Sequence, residues 1–376
     1  MQVDLTLPLV FGLASLLALH LIVVQGELAR KAVIGLFAFG LAAGVAALGW
    51  WLAPPRYLPS APTSGLAVAI AEGIRSGLSS QEPVHFLIVD GGSHSARGVS
   101  DAMLGDRLAD GLGTPVQVLS VTLAGGNQLE RWSVLRRAMA LLDARERARF
   151  ESAPKTLLLE IHSQYDRYPL VQLRRNRHSD RAYAYLDSAV FREALRAEHG
   201  EMDRQVLFRQ WADVVVHAAI NVMNVGLAPR VASAGEGQPR TGYAPLDRAV
   251  RGYRFPGTKA VRQSVRKPPG PIGDVPWRNV KLRRDRYVQL LGRTPETIYF
   301  SVPTPRVADL DYARAFCEGI VDARCLTHGH RGLLARLDHA QLWYDNGHLQ
   351  RRGAEIYTRW LAGRLVGVMK EEDTQP

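Results

Sequence analysis

The sequence predicts an α/β fold: a three-layer α/β sandwich with a parallel sheet, preceded by two transmembrane helices. After about residue 83, short apolar runs bounded by Gly and Pro alternate with stretches of helical spacing. Strands that alternate with helices favour a parallel sheet covered on both faces. Ahead of that pattern stand two long apolar runs, and the 376-residue length suits a membrane segment followed by one large domain.

The first apolar run covers residues 5–25 without a charged side chain, and the second covers residues 32–53. Each is about as long as a helix that crosses a bilayer. A secretory signal is the alternative for the first run, but basic residues are missing before it and no cleavage site separates the runs. We therefore assign residues 1–56 to two transmembrane helices and residues 57–82 to a linker and a short helix.

Charges near the spans predict their orientation. Arg30 and Lys31 lie in the short loop between the spans, and basic loops favour the cytoplasmic side. Trp50 and Trp51 end the second span, as aromatic residues do at a membrane interface. Both termini would then face outward, which predicts a bacterial inner-membrane protein whose folded domain lies in the periplasm.

The folded domain, residues 83–376, contains five predicted strands. Helical patterns separate and follow the strands, and the chain closes with a helix over 353–369. The strand segments are 84–90, 115–123, 155–161, 296–305 and 323–328. Residues of about 165–295 break this rhythm, and we interpret them as an insertion that caps the site or contacts a partner.

Much of the net charge of +11 falls in that insertion. Twelve Lys and Arg stand against three Asp between Asp247 and Arg286. On a chain displayed outside the cell, this favours an anionic glycan or lipid head groups over nucleic acid, and the alternative is a solvated loop without a specific ligand.

The two cysteines, Cys317 and Cys325, are eight residues apart. In an oxidising compartment they could form a disulfide; otherwise they are two small hydrophobic residues. His328 and His330 lack a third ligand at matching spacing, so we predict no metal and no cofactor.

Two short motifs at opposite ends of the domain carry the candidate chemistry. Gly91-Gly92-Ser93 follows the first strand and precedes a helix, where a serine hydroxyl would lie at the carboxyl edge of the sheet. Asp345 and His348 are three residues apart on a turn, so the carboxylate can bind one imidazole nitrogen while the other faces a serine. Each motif alone is equally compatible with helix capping or a surface position.

Together the motifs resemble the SGNH/GDSL hydrolase superfamily, in which a GDS block follows the first strand and a D-x-x-H turn precedes the last helix. The resemblance covers about residues 83–164 and 296–368. It implies that Ser93 is the nucleophile, His348 the general base and Asp345 the group that orients His348. It also implies an oxyanion hole formed by the Ser93 backbone and by Gly125 or Gly126.

This chain departs from the family pattern in two places. Gly92 replaces the acidic residue of GDS, and Glu160-Ile161-His162-Ser163 replaces the glycine-x-Asn-Asp block. Because the asparagine donor is missing, Asn127 and Gln164 become candidate oxyanion donors. We also assign His94 and His162 as candidate substrate-binding residues.

The resemblance extends to membrane-anchored proteins that add or remove acetyl groups on bacterial exopolysaccharides. It implies a serine esterase or O-acyltransferase that acts on a cell-envelope or secreted polysaccharide, with a membrane acyltransferase or export protein as a further candidate partner and no nucleic acid. The alternatives are a non-catalytic SGNH-like scaffold of a polysaccharide-export assembly and a GDSL-type lipase.

Overall fold

The computed structural model of the chain describes residues 62–163, 242–270, 274–292 and 295–373. It also describes isolated positions between 34 and 44, and residues 166, 189, 190, 193 and 196. All five predicted strands lie within the described residues. Gln164 and most of residues 165–241 lie outside the described residues.

The domain is built on a parallel sheet of five strands in the order β2-β1-β3-β4-β5. The strands are β1 (His85–Asp90), β2 (Val116–Ser120), β3 (Lys155–Glu160), β4 (Glu296–Phe300) and β5 (Arg324–Leu326). Every neighbouring pair is parallel. The predicted α/β class with a parallel sheet is therefore confirmed, and each strand falls within a segment that its apolar pattern predicts.

Helices cover both faces of the sheet. They are α1 (Pro62–Ser79), α2 (Ser93–Gly98), α3 (Asp101–Leu112), α4 (Gln128–Ala140), α5 (Ala144–Ser152), α6 (Lys259–Ser264), α7 (Trp277–Leu291), α8 (Val307–Gly319), α9 (Arg331–Arg336) and α10 (Arg351–Asp373). Core residues of α1, α4, α5, α7 and α8 pack on one face, and those of α3, α9 and α10 on the other. The arrangement is consistent with the predicted three layers.

Strand β3 shows how the sequence divides between these layers. Leu157 and Leu159 belong to the first core cluster and Leu158 to the second, and all three are fully buried. Successive side chains of a strand point to opposite faces, so a continuous apolar run produces a strand that is buried on both sides. The carboxyl end of β3 carries Glu160, which is buried as well.

Helix α7 differs from its sequence-based interpretation as part of a capping insertion. Val280, Tyr287 and Leu291 of α7 belong to the first core cluster, so this helix is part of the layer that covers the sheet. The Arg-rich composition makes this helix look solvent-exposed in the sequence. In the structure even Arg283 of the same helix is buried, at 2% exposure. The basic segment therefore includes a structural element of the α/β domain.

Among the described residues, none of the helices has the length and apolar character needed to span a bilayer. The two predicted spans, 5–25 and 32–53, lie outside the described residues except for isolated positions between 34 and 44. The transmembrane assignment therefore stays a prediction.

The two cysteines form a disulfide that links the end region of α8 to β5. Cys317 lies in α8 and Cys325 in the middle of β5. Of the two alternatives that the sequence left open, the structure contains the bond.

Candidate active site

The serine loop follows directly from strand β1. Asp90 ends the strand, Gly92 precedes helix α2, and Ser93 is the first residue of that helix. The Ala96 N–H donates to the Gly92 carbonyl at 3.0 Å, which starts the helical pattern. The N–H of Ser93 therefore belongs to the first turn, whose N–H groups have no acceptor within the helix.

Neither glycine of this loop adopts a positive φ; their small size serves close packing instead. A Cβ at Gly91 would meet the Ser95 side chain and Oε2 of Glu160. The glycine thus lets the Glu160 carboxylate approach the backbone next to Ser93. The serine loop also contacts the turn after β2, because the Leu123 N–H donates to the Gly91 carbonyl at 3.1 Å.

The Asp345–His348 turn is held by its own hydrogen bonds. Oδ1 of Asp345 accepts the N–H groups of Gly347 at 2.7 Å and His348 at 2.9 Å. The Tyr344 N–H donates to the His348 carbonyl at 2.8 Å, and Trp343 pairs with Leu349 in an isolated antiparallel bridge. The turn itself therefore holds Asp345 in place, independently of the contact between Asp345 and the His348 ring.

The structure brings Ser93, His348 and Asp345 together although up to 255 residues separate them in the chain. Nε2 of His348 lies 2.8 Å from Oγ of Ser93. Nδ1 of the same ring lies 2.8 Å from Oδ1 and 2.9 Å from Oδ2 of Asp345. Since the carboxylate can only accept, Nδ1 donates to it and Nε2 is left as the acceptor for the serine hydroxyl.

The environment favours the basic form of His348. Burial lowers the pKa of His348, and the neighbouring His94 lowers it further, while Asp345 acts in the opposite direction. Burial disfavours the charged form of Asp345, but the hydrogen bonds from Gly347 and His348 outweigh this and lower its pKa. At neutral pH the pair is therefore a neutral imidazole beside a carboxylate, as general-base catalysis needs.

His348 is the first of three stacked imidazole rings, which form a column. His94 stacks on His348 with ring centroids 5.0 Å apart, and on His162 with centroids 4.7 Å apart. His94 is buried and a Cβ at Gly347 would come within 2.9 Å of its Nε2, so the ring fills the space between the serine loop and the Asp345–His348 turn. His94 also lines the recess described below, and its assignment as a substrate-binding residue stays a prediction.

Glu160 is the site residue that the sequence reasoning missed. Its Oε2 accepts the Gly92 N–H at 2.6 Å and the Ser95 hydroxyl at 2.7 Å, and its Oε1 lies 3.5 Å from Nδ1 of His94. Burial would raise the pKa of Glu160, but His94, His162 and Ser95 lower it to about 2. A charged residue that ends an otherwise apolar strand was the available signal in the sequence.

The predicted oxyanion donors have different positions. The Gly126 N–H donates to the Leu123 carbonyl at 3.0 Å, so it is used within the turn. Oδ1 of Asn127 accepts the Glu130 N–H at 2.8 Å, which makes this side chain the N-cap of α4. Gly125 adopts a left-handed φ of 68° in the same turn, and Gln164 lies outside the described residues.

A recess lies beside the imidazole column, where β3, β4 and β5 end. Its lining includes His94, Glu160, His162, Ser301, Asp309 and His328. Burial holds the pKa of both His162 and His328 at about 4, so these rings are neutral at physiological pH. Within the described parts of the chain, no group of His, Cys, Asp and Glu has an arrangement that could hold a metal ion.

Behind the serine loop, Asp90 is enclosed by two buried arginines. Nε of Arg131 lies 2.5 Å from its Oδ1, and Nε of Arg283 lies 2.7 Å from its Oδ2. Arg283 also donates to the Glu160 carbonyl at 2.6 Å. The two cations outweigh the effect of burial and lower the pKa of Asp90. This network fixes the ends of β1 and β3, which carry Ser93 and Glu160.

The basic segment divides into paired and exposed residues. Besides Arg283, Arg262 pairs with Asp338, Arg284 with Asp322 and Arg286 with Glu193. Arg248, Arg251 and Arg254, here called the arginine ledge, are exposed and make no ion pair within the described ranges. Their segment lies against the Asp345–His348 turn, because the Val250 N–H donates to the Tyr344 carbonyl at 3.0 Å.

A comparison of the sequence with protein-family models and with curated proteins found no match. The superfamily resemblance therefore depends on the motifs, and the activity that it implies remains a proposal.

Proposed function

We propose that this chain is a membrane-anchored serine esterase or O-acyltransferase that acts on an acylated cell-envelope or secreted polysaccharide. One observation carries the proposal: Ser93, His348 and Asp345 form a continuous hydrogen-bonded relay with distances of 2.8 Å at both joints. The resemblance of the serine loop and the D-x-x-H turn to SGNH/GDSL hydrolases supports the same reading.

The relay supports a two-step acyl transfer. Nε2 of His348 accepts the Ser93 hydroxyl proton while Oγ attacks the ester carbonyl, and Asp345 stabilises the imidazolium that forms. The tetrahedral intermediate releases the alcohol, which takes the proton from His348, and leaves an acyl-serine. Water or a sugar hydroxyl then attacks that ester and gives its proton to His348, which returns it to Oγ of Ser93 as the acyl-serine bond breaks and the acid or the new sugar ester leaves. Water makes the protein an esterase, and a sugar hydroxyl makes it a transferase.

Backbone groups are the best candidates to stabilise the oxyanion. The Ser93 N–H lies in the first turn of α2, and the turn containing Gly125 is held beside the serine loop by the Leu123–Gly91 bond. Oxyanion donors are commonly worth a few kcal/mol each in barrier lowering. The loss of the family's asparagine favours the second candidate function, a non-catalytic SGNH-like scaffold in a polysaccharide-export assembly.

The arginine ledge supports an anionic substrate. Three exposed cations border the turn that carries Asp345 and His348, so a polymer of uronic acids could bind there while an acyl group reaches Ser93. The Cys317–Cys325 disulfide supports a location outside the cytoplasm, since such bonds persist in oxidising compartments. With the predicted spans, this favours an inner-membrane anchor and a periplasmic domain.

The catalytic proposal is tested by p-nitrophenyl acetate hydrolysis with the purified full-length chain. We expect Ser93→Ala and His348→Gln to lower kcat by about 10³-fold or more, because each removes one member of the relay. Exposed Ser152→Ala and His339→Gln are the matched controls and should retain wild-type rates. A folded wild-type chain with background turnover and no labelling of Ser93 by a fluorophosphonate would favour the scaffold.

The substrate class is tested separately with acetylated polyuronate and an acetylated neutral glycan. Replacing Arg248, Arg251 and Arg254 with Gln should weaken use of the polyuronate, most at low salt, and leave p-nitrophenyl acetate hydrolysis unchanged. The control changes three exposed arginines elsewhere, Arg107, Arg145 and Arg364, to Gln. Equal losses in both triple variants would rule out a specific role for the ledge.

A further inference from the structure

We propose that Glu160 and His94 form a positioning pair for the triad, in which Glu160 fixes the serine loop and the His94 ring, and His94 fixes the orientation and charge environment of His348. The inference rests on the proposed function insofar as it assigns His348 the role of general base. Neither residue of the pair is a member of the hydrogen-bonded relay.

Glu160 contacts three of the residues around the nucleophile. One carboxylate oxygen binds the Gly92 N–H and the Ser95 hydroxyl, while the other faces Nδ1 of His94. The side chain is 2% exposed, so these contacts are formed away from water and hold their geometry strongly. A single carboxylate therefore fixes the backbone before Ser93 and the Ser95 side chain, and lies beside the His94 ring.

His94 transmits this restraint to the base. Its ring is nearly parallel to that of His348, with an interplanar angle of 12°, and nearly parallel to that of His162 on the other side, at 23°. Oxygen atoms of Asp345 fix one edge of His348, but hydrogen bonds in the ring plane do not prevent tilting out of that plane. The stacked His94 ring supplies that second restraint.

The same geometry explains the role of the residues that this chain has in place of the family's glycine-x-Asn-Asp block. Glu160 takes the place of its glycine and His162 that of its asparagine, yet the His94 ring lies between His162 and His348. A donor at His162 would have to reach past that ring to the Ser93–His348 pair. In this chain the end of β3 therefore restrains the serine loop and supplies no amide to the reacting atoms.

His94 also affects the proton affinity of the base. The charged and titratable groups facing His348 are Asp345 and His94, with Arg97 of α2 and Tyr344 of the Asp345–His348 turn. The groups facing His94 are Glu160, His162, His348 and His328. Because the stacked His94 ring lowers the pKa of His348, its removal should make His348 harder to deprotonate.

The test measures the titration of His348 directly by NMR in the full-length chain labelled at histidine Cε1. His94→Gln keeps a polar group that can bond to Glu160 and removes the imidazole ring. We expect the His348 titration midpoint to rise by about one pH unit, and the acid limb of kcat/KM for p-nitrophenyl acetate to move with it. Exposed His339→Gln should leave the midpoint unchanged.

Glu160→Gln tests the restraint on geometry, with exposed Glu318→Gln as its control. We expect kcat to fall by about 10- to 100-fold with KM little changed, because the serine loop and the ring lose a shared anchor. If His94→Gln fails to fold by circular dichroism, His94→Asn replaces it, and if Glu160→Gln fails, Glu160→Asp replaces it.

An unchanged or lowered His348 midpoint in the His94 variant overturns the charge coupling, and unchanged kcat in Glu160→Gln overturns the restraint. The NMR result is independent of the proposed function. If wild type and Ser93→Ala show the same ester turnover, the esterase proposal fails while the coupling between the two imidazoles can still be measured.

Discussion

Arg283 offers the sharpest test of the architecture. A solvated basic loop, one alternative that the sequence leaves open, predicts a small loss of stability on its removal, whereas the buried contacts in the structure predict a large one. As part of a solvated basic loop, Arg283→Met would change stability by less than about 0.5 kcal/mol. In the structure the guanidinium is buried, binds Oδ2 and the carbonyl of Asp90, and donates to the Glu160 carbonyl. Methionine fills most of the space but can make none of these bonds.

The cost can be worked from those contacts. Removing one partner of a buried ion pair costs about 3–5 kcal/mol, and a buried carbonyl that loses its donor costs about 1–3 kcal/mol. Arg131 still binds Oδ1 of Asp90 in the variant, which reduces the first amount. We expect a net loss of about 3–5 kcal/mol, a large share of the roughly 5–15 kcal/mol that stabilises a typical domain.

The assay is urea unfolding of the full-length chain followed by the fluorescence of its seven tryptophans. With a denaturant slope of about 1–3 kcal/mol per molar, the midpoint should fall by about 1–3 M. Arg284→Met is the matched control on the same helix, because its pairing with Asp322 is at the surface and should contribute less than about 1 kcal/mol. Equal midpoints for the two variants would refute the buried network.

Three further outcomes follow from the site and its surroundings. Asp345→Asn should lower kcat for p-nitrophenyl acetate by about 10⁴-fold, because the amide no longer selects the His348 tautomer, whereas exposed Asp247→Asn should not. Because the pKa of Glu160 is lowered from 4.5 to about 2, its stabilising contribution is present above pH 4.5 and is lost as the pH falls toward 2. Urea midpoints at neutral and acidic pH should therefore differ less in Glu160→Gln than in wild type, and an identical difference would count against the ionised carboxylate. Replacing Cys317 and Cys325 with Ser, which opens a loop with a separation of 8, should cost about 2–3 kcal/mol, and adding reductant to the variant should have no further effect on its midpoint.

The sheet and the triad were predictable because their signals are local. Apolar runs such as residues 155–161 encode buried strands, and parallel strands place the residues that follow them at one edge. Ser93 and the Asp345–His348 turn then meet at that edge, which is a consequence of topology. The position of each motif in the order of strands and helices was enough to predict that they meet.

The features that escaped prediction depend on partners distant in sequence. Arg283 looks solvated until its bonds to Asp90 are known, and Glu160 looks like the exposed end of a strand until the serine loop closes over it. Asn127 is the exception, since an asparagine three residues before Glu130 is a recognisable helix-start pattern. That capping role uses Oδ1 of Asn127, so the assignment of its amide nitrogen as an oxyanion donor stays a prediction.

The strand order β2-β1-β3-β4-β5 also restricts where a substrate can approach. Helix α3, which follows β1, packs on one face of the sheet, whereas α7, which precedes β4, packs on the opposite face. Chain segments that leave adjacent strands toward opposite faces open a crevice between them. At this point of the sheet Glu160 is buried and bound to the serine loop, and Ser93 contacts His348. Under the proposed function, exchange of the surrounding loops would therefore change which acyl group or acceptor is admitted, while Ser93 stays where the winding of the chain puts it.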